Sequence, residues 1–461
     1  MRCRPRAVNW GVVALAAALL ATAPAWSVGP GGLDPVVPAP PDVPSAPRGV
    51  PDPDLIARAL AEAVPRGLAA PALGRRLVAA VAPLTGDGAG FTTGPATFRP
   101  ASMMKLLTAA AALETFGPAH TFSTRVALEP ADQESRRPGV RTVVLIGGGD
   151  PLLASRPLPT AYPERADVRA LAASAAAELA ERGVRRVRLR FDTSLFSGPV
   201  GSPQWRADYL GEDIVAPITA LWVDGGRPTS GLGRVADPAA SAAAVFRREL
   251  IRAGVRVIAA PRVGEASATA DQIAQVLSAP LAAIVEHLLQ VSDNEVAEVI
   301  AHHVGLAVAG EGSFRGGSRG VIEVLDNLGV SLGGTVIHDG SGLSRANRLS
   351  SQSLLTLLRI AASPGRPHLR PVLTGLPVAA FTGSLAGRFD EGAPAGRGLV
   401  RAKTGTLTGV HGLAGLVTDR DEVTYAFLLV ADRVAVRRSL AARTVLDRLA
   451  AALAACRCVD K

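Results

Sequence analysis

Residues 98–108 read Phe98-Arg99-Pro100-Ala101-Ser102-Met103-Met104-Lys105-Leu106-Leu107-Thr108. This stretch is typical of the start of a helix, because proline is suited to a first turn and leucine and alanine residues follow it. Ser102 is then expected in the first turn, where free backbone N–H groups favour a developing negative charge. Lys105 comes three residues later and shares that face of the helix. A serine becomes a nucleophile when a base lies nearby, and a desolvated lysine can be that base.

Lysine is rare in this chain. Lysine and arginine together number 49, and the lysines are Lys105, Lys403 and Lys461. Arginine keeps its proton in proteins, whereas a buried lysine can lose it. A lysine in such a background indicates a need for a compact or titratable amine. The alternative is that base-composition bias left a few lysines at random, so the Ser-x-x-Lys spacing needs support from elsewhere in the chain.

Length and composition predict a folded chain of more than one domain. The 461 residues are 48% hydrophobic, with a formal charge of +9 and 4% aromatic residues. The positive charge forms no dense run and has few aromatic neighbours, which disfavours a nucleic-acid partner. A mild positive excess is compatible with work near an anionic bacterial wall and equally with plain solubility.

The N-terminal region predicts export from the cytoplasm. Residues 1–25 are typical of a secretory signal peptide, since an arginine-rich start precedes a short apolar run and then small residues. Residues 26–53 form a Pro/Gly-rich linker that we expect to be extended. We therefore expect a protein of the cell envelope, with its signal either cleaved or kept as an anchor.

The cysteines and histidines beyond the predicted signal peptide predict no metal site. Cys456 and Cys458 have one residue between them, and so close a pair does not bridge easily. His302 and His303 are adjacent and point different ways on a helix, without an acid at ligand spacing. We predict neither a disulfide framework, nor a metal, nor a cofactor.

Residues 119–274 predict an inserted α/β unit. Strand patterns and helical patterns alternate there, with strands at 121–128, 142–146 and 187–191, a strand and turn at 220–227, and helices at 165–182 and 237–253. A helical pattern resumes at residues 271–277. The flanking segments 54–118 and 275–461 are then expected to form one catalytic domain, with helices and an antiparallel sheet.

Two further motifs support the Ser102 stretch. Ser292-Asp293-Asn294 lies between two helical patterns, and Lys403-Thr404-Gly405-Thr406 lies on a predicted strand of a hairpin. The order Ser-x-x-Lys, Ser-Asp-Asn, Lys-Thr-Gly is the signature of penicillin-binding proteins and class A β-lactamases. Each motif is weak alone, but the three together, in helix, loop and strand contexts, are a strong signal.

The chemistry of acyl transfer accounts for the catalytic residue types. Ser102 attacks a carbonyl, and Lys105, as the neutral amine, takes its proton. Backbone N–H groups of Ser102 and Thr406 are expected to form the oxyanion hole. Ser292 can relay a proton to the leaving amine, and Asn294 can hold the Lys105 amine and a substrate amide.

The strand motif predicts substrate binding. Lys403 adds positive potential for a substrate carboxylate, to which Thr404 and Thr406 can donate hydrogen bonds. Gly405 lets a substrate backbone approach the strand edge, as in binding by strand addition. These roles make Lys403, Thr404, Gly405 and Thr406 the predicted substrate-binding residues.

With these three motifs the chain resembles the D-alanyl-D-alanine carboxypeptidase/endopeptidase group of low-molecular-mass class C penicillin-binding proteins. Family-like strings beyond the three motifs include Gly147-Gly148-Gly149-Asp150-Pro151, the Asp192 to Pro199 stretch with Trp205, Val223-Asp224-Gly225-Gly226, Asp339-Gly340-Ser341-Gly342-Leu343-Ser344-Arg345, and Gly383-Ser384-Leu385 with Arg388. For the 339–345 string, a glycine turn and a site-lining role are both open. The resemblance implies a β-lactamase-like transpeptidase fold with a large insert, no cofactor, cleavage of peptidoglycan stem peptides ending in D-Ala-D-Ala through an acyl-enzyme, and acylation by β-lactams.

Two other functions fit parts of the same pattern. A β-lactamase or esterase would use the same catalytic set and release its acyl group quickly, but the sequence offers no deacylating glutamate near the motifs. A catalytically inactive wall-binding homologue would keep the fold, and the intact motifs argue against it. Membrane or cell-wall association at the periphery is compatible with either function.

Overall fold

The computed structural model describes residues 50–63, 66–86, 90–131, 139–228, 231–390 and 392–460. The predicted signal peptide and the predicted linker up to residue 49 lie outside these residues. The strands are β1 Val50–Pro51, β2 Leu77–Pro83, β3 Phe91–Thr93, β4 Thr97–Phe98, β5 Ser123–Leu128, β6 Arg141–Ile146, β7 Arg186–Asp192, β8 Arg256–Val257, β9 Arg262–Val263, β10 Asp271–Leu277, β11 Leu349–Ser350, β12 Val400–Leu407, β13 Val410–Thr418, β14 Thr424–Ala431 and β15 Val459–Asp460. The α-helices are α1 Pro53–Glu62, α2 Met104–Phe116, α3 Val168–Glu181, α4 Pro238–Arg252, α5 Leu281–Val291, α6 Asn294–Ala309, α7 Phe314–Asn327, α8 Ser351–Ala362, α9 Pro371–Thr374 and α10 Ser439–Ala455.

An antiparallel sheet with the strand order β12–β13–β14–β2–β3 joins the two ends of the described chain. Its faces follow the two-residue period of a strand. Along β14, Ala426, Leu428 and Val430 enter a core shared with α2, whereas Tyr425, Phe427 and Leu429 enter a second core shared with α1 and α10. The sheet is therefore buried on both faces between helices. This arrangement confirms the predicted mixed fold with an antiparallel sheet.

Helix α2 lies at the centre of the first core. Every residue from Met104 to Leu113 is buried, so the helix is enclosed on all sides rather than amphipathic. The leucine and alanine residues that predicted this helix pack against α5, α6 and α8. Gly117 ends the helix, as predicted, and its N–H bonds to the Leu113 carbonyl.

A second sheet has the strand order β10–β5–β6–β7–β8, with β9 also pairing with β7. The prediction of a helix at residues 271–277 is wrong, because Asp271–Leu277 is strand β10, antiparallel to β5. A bulge between Gln272 and Ala274 breaks the alternation of β10, which is why its apolar residues had a helical spacing. Of the strand and turn predicted at 220–227, the strand is wrong and the turn is confirmed as a 3-10 turn at Asp224–Gly226. The domain boundaries at 119 and 274 stay predictions, and β10 continues past the second of them.

The termini of the described chain meet. Val50–Pro51 pairs with Val459–Asp460, so ordered structure begins before residue 54. Cys456 and Cys458 form a disulfide, contrary to the sequence prediction, because the turn after α10 brings their Cα atoms to 5.3 Å. Within the described ranges, each helix is too short or too polar to cross a bilayer.

Candidate active site

Ser102 lies in a tight turn at the entrance to the buried helix. Ala101–Met103 forms one 3-10 turn that continues directly into α2, so Ser102 precedes the α-helix itself. Ala101 has a φ of 47°, which is uncommon for a residue with a side chain. Ala101 and Met103 are buried, whereas Ser102 is half-buried. The turn thus fixes its flanks in the core and presents the Ser102 hydroxyl at a surface.

The Lys105 amine meets three oxygen atoms. Its Nζ lies 3.0 Å from Ser102 Oγ, 2.8 Å from Asn294 Oδ1 and 2.8 Å from the Ser341 carbonyl oxygen. The side chain is 0% exposed. Burial lowers the pKa of Lys105 from 10.5 to about 8, although the carboxylates of Glu298 and Asp339 act in the opposite direction. A neutral lysine is therefore accessible near neutral pH.

The valence of the amine assigns these contacts. A neutral amine has two N–H donors and one lone pair. Asn294 Oδ1 and the Ser341 carbonyl can only accept, so they take the two N–H groups. The lone pair is then left for the Ser102 hydroxyl. The Asn294 amide is oriented for this task, because its Nδ2 donates to the Ile214 carbonyl at 3.1 Å.

The Ser292–Asn294 motif is the connection between α5 and α6. Ser292 ends α5 in the left-handed conformation, with a φ of 61°. Asp293 caps α6 by accepting a hydrogen bond from the Val296 N–H at 3.0 Å. So short a connection places Asn294 at the first turn of α6, beside Lys105. It also places Ser292 Oγ 2.8 Å from Lys403 Nζ.

Lys403 is the second buried amine of the site. It is 0% exposed and donates to Ser292 Oγ and to the Thr404 carbonyl, the latter at 3.0 Å. Burial, together with the charge of Lys105, lowers the pKa of Lys403 well below 10.5. An anion at the adjacent surface would favour its charged form again.

Strand β12 has an open edge next to these amines. Among the described strands it pairs only with β13. Its first residues are covered on the other side, where the Ala402 N–H donates to the Pro377 carbonyl. Antiparallel strands alternate the direction of their N–H groups, so Thr404 and Thr406 direct theirs away from β13, as Ala402 does, but beyond the covered part of the edge. Thr406 is exposed, whereas Thr404 is buried and its Oγ1 lies 2.9 Å from Ser384 Oγ.

Close packing requires a glycine at position 405, which the sequence did not reveal. A Cβ atom at this position would lie 2.9 Å from Met103 Cε and 2.9 Å from the Pro100 carbonyl oxygen. The bare backbone of β12 therefore approaches the Ser102 turn closely. The expected approach of a substrate backbone at this glycine stays a prediction.

A loop at residues 339–344 lies against Lys105 and forms one wall of the site. Asp339 orders it by accepting from the N–H groups of Gly342 and Ser344, at 2.9 and 2.6 Å, and from Trp205 Nε1 at 2.7 Å. A Cβ on Gly342 would lie 1.8 Å from the Ala101 carbonyl oxygen, so only glycine permits this approach. Residues 339–344 therefore form a turn and also line the site.

Sequence reasoning missed Glu298. This buried side chain lies on α6, four residues after Asn294 and on the same face. The available signal was a lone carboxylate within the apolar run Val296–Ile300, where a charge needs a specific partner. Within the described residues, His, Cys, Asp and Glu side chains form no group of three able to hold a metal ion.

The fold and the paired Ser-Lys groups define this chain as an active-site serine enzyme of the penicillin-binding class. The comparisons with known proteins specify it further. The family model for D-Ala-D-Ala carboxypeptidase 3 (S13) matches residues 60–233 and 226–453. The chain belongs to this family, which confirms the resemblance found in its motifs.

Relatives at higher identity cover two thirds of the chain or more. The carboxypeptidase DacB of Mycolicibacterium smegmatis is 36% identical over 465 residues, which are 98% of this chain and 97% of that protein. A D-alanyl-D-alanine carboxypeptidase of an Actinomadura species is 31% identical over 69% of this chain and 70% of its own. These relatives place the chain among D-Ala-D-Ala carboxypeptidases.

Solved structures share the fold at lower identity. Penicillin-binding protein 4 of Haemophilus influenzae has a TM-score of 0.66 at 20% identity, covering 85% of this chain and 97% of its own. A peptidoglycan endopeptidase of Bdellovibrio bacteriovorus has a TM-score of 0.50 at 14% identity, covering 84% of this chain and 95% of its own. At these identities the likeness concerns the fold, and it confirms the predicted fold class.

Proposed function

We propose that Ser102 is the nucleophile through which this chain carries out the D-Ala-D-Ala carboxypeptidase reaction of its family. The observation that carries the proposal is the Lys105 amine, whose two N–H groups are taken by Asn294 and Ser341. Its lone pair faces the Ser102 hydroxyl at 3.0 Å. Lys105 is therefore the general base that removes the Ser102 proton as Oγ attacks the substrate carbonyl.

The remaining steps are assigned to the other residues of the three motifs. The carbonyl oxygen becomes an oxyanion as the Oγ–C bond forms, and the N–H groups of Ser102 and Thr406 receive it. The C–N bond then breaks, and the proton held by Lys105 passes through Ser292 to the departing D-Ala amine. The product is an ester on Ser102 Oγ, which water hydrolyses to release the shortened peptide and the free serine.

The terminal carboxylate of the substrate is assigned to the β12 side of the site. Lys403 supplies positive charge there, and the hydroxyl groups of Thr404 and Thr406 lie on one face of the strand. The open edge of β12 beyond Ala402 offers main-chain hydrogen bonds to an extended stem peptide. Terminal D-Ala-D-Ala and the β-lactam ring both present a carboxylate next to a reactive amide, so the same groups receive β-lactams.

Peptidoglycan lies outside the cytoplasm, so the proposed substrate agrees with an exported protein. The predicted signal peptide at residues 1–25 supplies the route. Its cleavage by a signal peptidase, or its retention as an anchor, is read from the N-terminus of the protein purified from the cell envelope.

Labelling with a fluorescent penicillin tests the proposal. The unmodified protein is expected to become covalently labelled and to release D-Ala from a pentapeptide ending in D-Ala-D-Ala. Ser102→Ala is expected to do neither while melting at the same temperature. Equal labelling of both proteins would overturn the mechanism. Fast nitrocefin turnover would favour a β-lactamase, and binding of wall fragments without D-Ala release would favour an inactive wall-binding protein.

A further inference from the structure

Glu298 holds the loop that contacts the Lys105 amine. Its side chain is 0% exposed. One oxygen, Oε1, accepts from the Ser341 N–H at 2.8 Å, and the other, Oε2, accepts from the Gly340 N–H at 3.0 Å. Both oxygens of the carboxylate are therefore committed to two consecutive backbone groups. Such a clamp fixes the direction of the peptide as well as its distance.

The loop that Glu298 clamps supplies one of the acceptors of the base, from the peptide group that follows the clamped Ser341 N–H. The Ser341 carbonyl accepts from Lys105 Nζ at 2.8 Å, and the Gly340 carbonyl accepts from Thr108 Oγ1 at 2.7 Å. Lys105 and Thr108 lie one turn apart on α2 and are both buried. The loop is thus held between a carboxylate on α6 and two donors on α2.

We propose that Glu298 is a positioning residue, which directs the lone pair of Lys105 to Ser102 by holding the loop that carries the Ser341 carbonyl. This inference rests on the proposed function, because it assigns a role within that same reaction. If the Ser341 carbonyl moves away, one N–H of the amine is left without its acceptor and can turn to Ser102 Oγ. The lone pair then points elsewhere, and the amine donates to the serine instead of accepting its proton.

The charge of Glu298 adds a second, separable effect. Lys105 is faced by Glu298 and Glu295 from α6, by Asp293 from the cap of that helix, by Asp339 from the loop and by Lys403 from β12. Among the carboxylates, Glu298 acts most strongly to raise the Lys105 pKa against burial. Burial and Asp339 raise the pKa of Glu298 itself to about 8, against its two N–H partners, which need both oxygens as acceptors and favour the ionised form. Removing this carboxylate therefore lowers the pKa of Lys105.

Two substitutions separate the effect of Glu298 on the orientation of the Lys105 amine from the effect of its charge. Glu298→Gln keeps the size of the side chain but loses the charge and one acceptor, whereas Glu298→Asp keeps the charge and shortens the reach. The second-order rate constant of labelling by a fluorescent penicillin is measured from pH 6 to pH 10. We expect both variants to label about 10- to 100-fold more slowly at the pH optimum, because a misaimed base costs about this much. Only Glu298→Gln is expected to move the acid limb to lower pH, by about one unit.

Asp419→Asn is the matched control. Asp419 is also a buried carboxylate that clamps a loop, accepting from the N–H groups of Asp421 and Val423, both at 2.9 Å. Asp419 directly follows β13, at the far end of that strand from the residue that pairs with Thr406. We expect Asp419→Asn to lower the melting temperature without changing the labelling rate constant or its acid limb. The labelling rate constant is measured on the molecules that become labelled, so it does not depend on the fraction of the protein that is folded.

The outcomes are distinct. Wild-type labelling with unchanged rate and acid limb in both Glu298 variants overturns the inference and leaves the proposed function standing. Absence of labelling in the unmodified protein overturns the proposed function itself. If the Glu298 variants do not fold, Thr108→Val tests the same loop from α2. A threefold to tenfold slower labelling at an unchanged melting temperature supports the positioning role, and an unchanged rate contradicts it.

Discussion

Ser292 Oγ accepts a hydrogen bond from Lys403 Nζ across 2.8 Å, and this contact joins the α5–α6 connection to strand β12. Lys403 is fully buried, so its place suits a compact ammonium rather than a planar guanidinium. We expect Lys403→Arg to reduce kcat/KM for D-Ala release about 100-fold, because the larger head displaces Ser292 or the strand. Lys403→Met fits the same buried space but has no hydrogen-bond donor. This variant should retain the melting temperature and still lose activity. A Lys403→Arg enzyme with more than half the activity would contradict this account.

Asn294 tests the state of the Lys105 amine. Its Oδ1 lies 2.8 Å from Lys105 Nζ. Asn294→Asp places a negative charge there and raises the Lys105 pKa, so the amine becomes neutral only at a higher pH. We expect labelling at pH 7 to fall at least tenfold and to recover partly toward pH 10. Asn294→Ala removes the acceptor without adding charge, and its acid limb should not move to higher pH.

Much of the fold was readable because its core elements are continuous apolar runs. Leu77–Pro83 and the alanine-rich start of α2 bury nearly every residue, so their patterns survive whatever packs around them. The Ser-Lys, Ser-Asp-Asn and Lys-Thr-Gly motifs were readable for a related reason. Each is local, and its residue types are limited by acyl-transfer chemistry.

The features that sequence missed depend on distant partners. Strand β10 is fixed by pairing with β5 across nearly the whole length of the insert, and its bulge imitates a helical spacing. Glu298 gains its role from the backbone of Gly340 and Ser341, which no spacing along α6 reveals. The packing demand on Gly405 comes from Pro100 and Met103, far away in the chain.

Gly405 leads to a test of strand approach. A methyl group at this position would press on the Pro100 carbonyl and on Met103, both next to Ser102. We expect Gly405→Ala to cost about 1–3 kcal/mol of unfolding free energy and to slow penicillin labelling more than tenfold. Gly387→Ala is the control, because a Cβ there meets nothing within 4 Å. Equal behaviour of the two variants would mean that β12 can shift without disturbing the nucleophile.

His303 links acid stability to a buried aromatic cluster. Its ring stacks on Phe122, with centroids 4.1 Å apart, and its Nε2 lies 3.0 Å from the Gly149 carbonyl oxygen. Burial lowers the pKa of His303 from 6.5 to about 4. The folded state therefore disfavours the proton that the unfolded chain accepts. The resulting stability is complete above pH 6.5 and is lost as pH falls toward 4.

A variant that cannot take up the proton isolates this effect from the other groups that titrate in the same window. His303→Gln keeps an amide donor for the Gly149 carbonyl and stays neutral. We expect it to be less stable than the unmodified protein at pH 7.5, because the stacked ring is lost. Between pH 7.5 and pH 4.5, however, it should lose about 2–3 kcal/mol less unfolding free energy in urea titrations. Parallel losses in the two proteins would show that His303 does not resist protonation in the folded state.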